Sequence, residues 1–178
     1  MPNSRRQFLH ASVSAAVAGS AISCGAGPGG HPGASPWRFF TAEEGQTVDA
    51  ICERIIPADR DPGAKEARAV NYIDIQLTRP FKRYQKVYRE GIAAVDAASR
   101  KKFGKRFVEL PAGQQTEVLT DIEKSSSAFF ELILAHTRQG FYGDPRHGGN
   151  RNRVSWKMIG VPFPPVRGRE HYDQPKVG

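Results

Sequence analysis

Residues 81–95 read FKRYQKVYREGIAAV, and within them Phe81, Tyr84, Tyr88, Ile92 and Val95 recur at intervals of three and four. That spacing stacks five apolar side chains along one side of a helix and leaves Lys82, Arg83, Lys86 and Arg89 on the other. A helix of about 20 residues with a basic outer face is the expectation. Upstream, Val70, Ile73 and Leu77 share one face of a shorter helix that must stop before Pro80, because the residue ahead of a proline is driven out of the helical region. Further upstream, Thr41 followed by Glu44 forms a capping-box pair, and Val48, Ile51, Ile55 and Ile56 repeat at helical spacing until Pro57, which predicts a helix over 42–56. Between these two helices, ADRDPGA at 58–64 is read as a turn on its Asp content and its Pro62-Gly63 pair.

Downstream, a fourth helix starts near Leu110-Pro111 and carries Val118, Leu119 and Ile122. After Ser125-Ser126-Ser127, a fifth carries Phe129, Phe130, Ile133 and His136, with Gly140 as its expected C-cap. No run alternates apolar and polar residues beside hairpin turn chemistry, so a sheet is not expected. The fold class is therefore all-α, about five helices in one small domain over 39–140. Beyond it lies a long irregular tail over 141–178 in which Gly, Pro, Arg and Asn dominate and periodicity vanishes. Phe141, Tyr142, Trp156, Met158, Ile159, Phe163 and Tyr172 are scattered through that tail, an aromatic content too high for a solvated linker. Two readings stand for these aromatics: a surface for a partner, or a lid packed back on the chain's own helices.

At the other end, Ser4-Arg5-Arg6-Gln7-Phe8-Leu9 precedes a weakly apolar run from Ala11 to Ile22. This has the layout of a twin-arginine export signal over 1–23, too short and too polar to span a bilayer. Arg5, Arg6, Phe8 and Leu9 are its recognition residues, and the export machinery is their partner. Ala21-Ile22-Ser23-Cys24 resembles a lipobox, with Ala21 where Leu is usual. Cys24 is then either acylated, anchoring the chain to the membrane, or lost to ordinary cleavage nearby. Residues 24–38 form a flexible linker centred on GAGPGGHPGASP, which carries too little apolar surface to order itself. The expected location is periplasmic and associated with the membrane.

The chain has 26 basic and 18 acidic residues and a formal charge of +8, which falls to +6 on loss of Arg5 and Arg6 with the signal. A basic balance suits nucleic acid, anionic lipid or an acidic protein face, but an export signal argues against nucleic acid. Cys52, the cysteine other than Cys24, sits on an apolar helix face and reads as a free buried thiol.

The residues that bear chemistry do not assemble into a site by spacing. His31, His136, His147 and His171, with Asp144 and Asp173, contain no pair at i, i+4 on a helix, and His136 reads as a satisfied core histidine. Asp59-Arg60-Asp61 lacks the oxygen-donor spacing and terminal Glu of a calcium loop. Gly148-Gly149-Asn150 follows no strand, opens no helix and has no Lys-Ser/Thr companion, so it is not a nucleotide loop. No nucleophile elbow, Cys-His motif or paired carboxylates appear. The expectation is no catalytic residue, no metal and no cofactor within this chain, on an export route that suits proteins folded around cofactors.

Several stretches together resemble the small, or gamma, subunit family of gluconate 2-dehydrogenase, subunit 3. They are ICERIIPADRDP at 51–62, Tyr72-Ile73-Asp74 with Gln76-Leu77, YREGIAAVD at 88–96, Phe103-Gly104, Phe129-Phe130 and Thr137. Most specific are GFYGDP, GGNR and WKMIG within 140–160, whereas 164–178 matches nothing in the pattern. The resemblance implies a non-catalytic subunit that pairs with a large FAD-containing dehydrogenase subunit of the glucose-methanol-choline type, often beside a cytochrome c subunit carrying haem. The partner would oxidise a sugar or sugar-acid alcohol, and this chain would supply export, stability and anchoring. The tail residues Phe141, Tyr142, Asp144, Asn150, Arg151, Trp156 and Lys157 are the expected partner contacts, since aromatics and Arg concentrate binding energy. The alternative is a freestanding periplasmic lipoprotein that binds a small ligand or envelope component.

Overall fold

The computed structural model describes residues 36–125 and 127–161. The chain divides into two units, Met1–Ala34 and Ser35–Gly178, and only the second contains described residues. The export signal, Cys24, most of the linker, His31, His171, Asp173, Phe163 and Tyr172 lie outside them.

The described residues form six α-helices in chain order: α1 Ala42–Ile55, α2 Ala69–Leu77, α3 Gln85–Phe103, α4 Ala112–Ser125, α5 Ser127–Tyr142 and α6 Val154–Met158. No strand occurs among the described residues, as the all-α reading requires. Thr41 caps α1 as expected: its hydroxyl accepts from Glu44 N at 3.2 Å, and the Glu44 carboxylate accepts from Thr41 N at 2.9 Å. The turn after α1 is gathered by one side chain. Glu53 accepts from Ala58 N and from Lys65 N, both at 2.9 Å, so a carboxylate on α1 holds both arms of the loop.

Three boundaries differ from the sequence reading. The long helix does not begin at Phe81; a 3-10 turn, Lys82–Tyr84, comes first and α3 starts at Gln85. The physical reason is the C-terminal end of α2, whose carbonyls capture the incoming chain. Phe81 N donates to Gln76 O at 2.9 Å, and Gln85 Nε2 donates to Leu77 O at 2.9 Å. Gly140 is not a C-cap, because α5 runs through it to Tyr142. Its missing side chain serves packing instead: a Cβ there would stand 2.9 Å from Ala69 O and 3.1 Å from Tyr72 Cβ, so glycine lets α5 lie directly on the start of α2. Finally, the tail read as irregular over 141–178 holds short helical elements in its described part. Two 3-10 turns, Pro145–His147 and Arg151–Arg153, lead into α6.

The core is one cluster drawn from α1 to α5, with Val48, Ile51, Ile73, Leu77, Tyr88, Val95, Val118, Phe129 and Ile133 all buried. Full burial of each such side chain stabilises by roughly 1.5–3 kcal/mol before chain entropy is counted. The apolar stripe of residues 81–95 faces this core, and Lys82, Arg83, Lys86 and Arg89 are exposed.

Candidate functional site

Three polar arrangements stand out against this apolar core. The first lies inside it, where α1, α3 and α5 meet. Tyr88 Oη and His136 Nδ1 are 2.9 Å apart, and the imidazole lies nearly parallel to the Phe81 and Tyr88 rings at centroid distances of 4.3 and 5.9 Å. Cys52 Sγ and Thr137 Oγ1 lie 3.2 Å apart in the same buried zone. Burial pushes the Cys52 thiol up to about 12, raises Tyr88 well above the usual phenol range, and lowers His136 to about 4. All three groups are therefore neutral at pH 7. A thiol held protonated is a poor nucleophile, and a neutral imidazole that meets a tyrosine hydroxyl is a packed polar pair. His136 is the satisfied core histidine that its sequence position suggests, and Cys52 is the buried free thiol.

The second arrangement fastens the first of the described residues. Asp74, buried on α2, accepts from Arg38 N at 2.7 Å, Phe39 N at 2.9 Å and Phe40 N at 3.1 Å. Arg89 on α3 completes the fastening: its guanidinium donates to Phe39 O at 2.9 Å, lies 4.3 Å over the Phe39 ring centroid and pairs with Glu44. A single carboxylate satisfying three successive amides is a strong charge-assisted arrangement, and it holds the residues just ahead of α1.

The third arrangement is a clasp formed by the turn after α5 and by α6. Asn150 is fully buried and bonds in three directions: its N–H donates to Gly140 O at 2.8 Å, its Nδ2 to Gly143 O at 3.0 Å, and its Oδ1 accepts from Ser155 N at 3.1 Å. Ser155 Oγ donates to Phe141 O at 2.6 Å, and Trp156 Nε1 donates to Tyr142 O at 2.7 Å. Arg151 N reaches Ala67 O at 3.0 Å, which ties the clasp to the loop before α2. Tight backbone geometry is needed to make these bonds. Asn150, Asn152 and Arg153 adopt φ of 44, 56 and 58°, and a Cβ on Gly149 would overlap Gly140 O.

The expected partner contacts therefore divide by position. Phe141 and Asn150 are interior struts and offer no surface, because the clasp closes over them. Asp144 caps the turn Pro145–His147 and pairs with Arg146 at 2.8 Å, a contact that lowers its carboxyl below the ordinary range. Trp156 is half-buried against Tyr142 O. Tyr142, Arg151 and Lys157 face outward, and so do Ile159, one of the scattered tail residues, and Val161, which the sequence reading did not single out. Their apolar character in a tail rich in Gly and Arg was the available signal.

Among the described residues, no group of three or more His, Cys, Asp or Glu side chains is placed to hold a metal, and no helix is long and apolar enough to cross a membrane. The family model described as Gluconate 2-dehydrogenase subunit 3 matches residues 42–162, a range that takes in all six helices. No curated protein and no solved structure matches the chain.

Proposed function

The chain belongs to the gluconate 2-dehydrogenase subunit 3 family, and from that premise we propose that it is the accessory subunit that exports and stabilises a flavin-bearing partner. Family membership makes it a subunit of a gluconate 2-dehydrogenase type of complex. In the proposed division of labour, the large partner holds FAD and oxidises the alcohol of a sugar or sugar acid, and a cytochrome c subunit takes up the electrons. This chain carries no step of the reaction. Its Arg5-Arg6 segment takes the folded pair into the periplasm, and Cys24, if acylated, holds the complex at the membrane.

The observation that carries this reading is the order of segments. A twin-arginine motif at Arg5-Arg6 stands ahead of a domain, 42–162, that belongs to a dehydrogenase subunit family. A route for folded proteins is useful to this chain if a cofactor-loaded partner travels with it. The test is replacement of both Arg5 and Arg6 by Lys in a host that expresses every subunit. The flavin subunit is expected to remain in the cytoplasm, with periplasmic dehydrogenase activity reduced at least tenfold. Equal amounts of flavin subunit in the periplasm, with and without the arginines, would overturn the export role.

A further inference from the structure

The large apolar side chains exposed among the described residues are Tyr142 at 46%, Ile159 at 53% and Val161 at 43%, and all three fall within the last 20 of them. Single exposed apolar residues are ordinary on a protein surface, but a concentration of them at one end is not. Trp156 joins two of them: its indole Nε1 donates to Tyr142 O at 2.7 Å, and its carbonyl accepts from Val161 N at 2.8 Å. Around them the charge is one-sided. From Arg138 to Val161 the chain has five Arg or Lys residues and one acid, Asp144, which is taken up by Arg146. Arg138, Arg151 and Lys157 are exposed. The clasp beneath is held by buried polar bonds and by a loop seated on Gly140, which constrain the backbone that presents this surface. A preformed surface loses little side-chain and loop freedom on binding, which reduces one of the entropic costs of association.

We propose that this face, Tyr142, Ile159 and Val161 with Arg138, Arg151 and Lys157 as its rim, is where a second subunit of the complex docks, through an apolar patch edged by carboxylates. The proposal rests on the accessory-subunit reading and adds the site and the chemistry of the surface it meets. Apolar contact at the centre supplies affinity. The cationic rim sets orientation and encounter rate, and its contribution is screened as salt rises.

The test uses the full chain, tagged and expressed with the other subunits of its complex. Ile159→Asp, and separately Arg151→Glu with Lys157→Glu, are each expected to lower the partner recovered per chain at least tenfold. Arg79→Glu with Lys82→Glu, on the exposed loop after α2, is expected to leave recovery unchanged. Since the altered residues are exposed, the thermal midpoint of the full chain purified alone should shift by no more than about 2 °C. Wild-type recovery by either interface variant overturns the proposal, as does an equal loss with the control pair. A midpoint that falls by many degrees for Ile159→Asp while recovery stays high shows that the chain's own segment covers the patch, and also overturns it. A dimer of the chain alone that Ile159→Asp dissolves assigns the face to a second copy and overturns it as well. If wild-type chain brings down no partner at all, it is the accessory-subunit reading that fails.

Discussion

At the scale of single residues, two buried polar groups set measurable stability. Asp74 satisfies three backbone amides, and Asp74→Ala would leave Arg38 N, Phe39 N and Phe40 N without their acceptor. The expected destabilisation is about 3 kcal/mol, read as a lower urea midpoint with little change in slope. His136 gives a pH signature. Its folded pKa, lowered to about 4 by burial, lies below the ordinary 6.5, so the unfolded chain binds more protons between those values. Stability from this group is fully present above about pH 6.5 and is lost as pH falls towards 4, by up to about 3 kcal/mol. Melting curves at pH 7, 5.5 and 4.5 should show the decline, and His136→Gln, which cannot titrate, should flatten that part of it. Neither role has the same visibility in sequence. His136 announces itself because it falls on the apolar period of its helix. Asp74 also lies on a helix, but its partners are amides more than thirty residues away, a relation that no local spacing encodes.

At the scale of elements, the 3.6-residue period located the first five helices well, because each buries one stripe against a common core. It failed where something other than a stripe decides the structure. Gly140 looks like a helix stop, yet the approach of Ala69 makes its missing Cβ a packing requirement. The clasp has no period at all, since it is built from side-chain bonds to carbonyls and from left-handed backbone at Asn150, Asn152 and Arg153. Two substitutions probe it. Gly140→Ala forces α5 away from α2 and should cost about 2 kcal/mol in global stability, seen in denaturant unfolding. Asn150→Ala removes the side-chain bonds to Gly143 O and Ser155 N and should expose residues 148–153 to limited proteolysis, while the far-ultraviolet signal of the main helices persists.

At the scale of the whole molecule, stability is uneven in a way the architecture dictates. The helices α1 to α5 share one apolar cluster, whereas the clasp and α6 are held mainly by hydrogen bonds. Native-state hydrogen exchange should therefore show amides of 145–161 opening at lower free energy than those of α3 or α5, and docking of a second subunit on that face should slow them. The position of Asp74 has a further, mechanical meaning. Any pull on the polypeptide from ahead of Pro36 meets Arg38, Phe39 and Phe40 before it meets the first turn of α1. Those three amides are bolted to one carboxylate on a different helix, so tension is handed sideways into the middle of the bundle. A load applied ahead of Pro36 is thus borne by the fold as a body, and α1 is spared from being peeled away turn by turn.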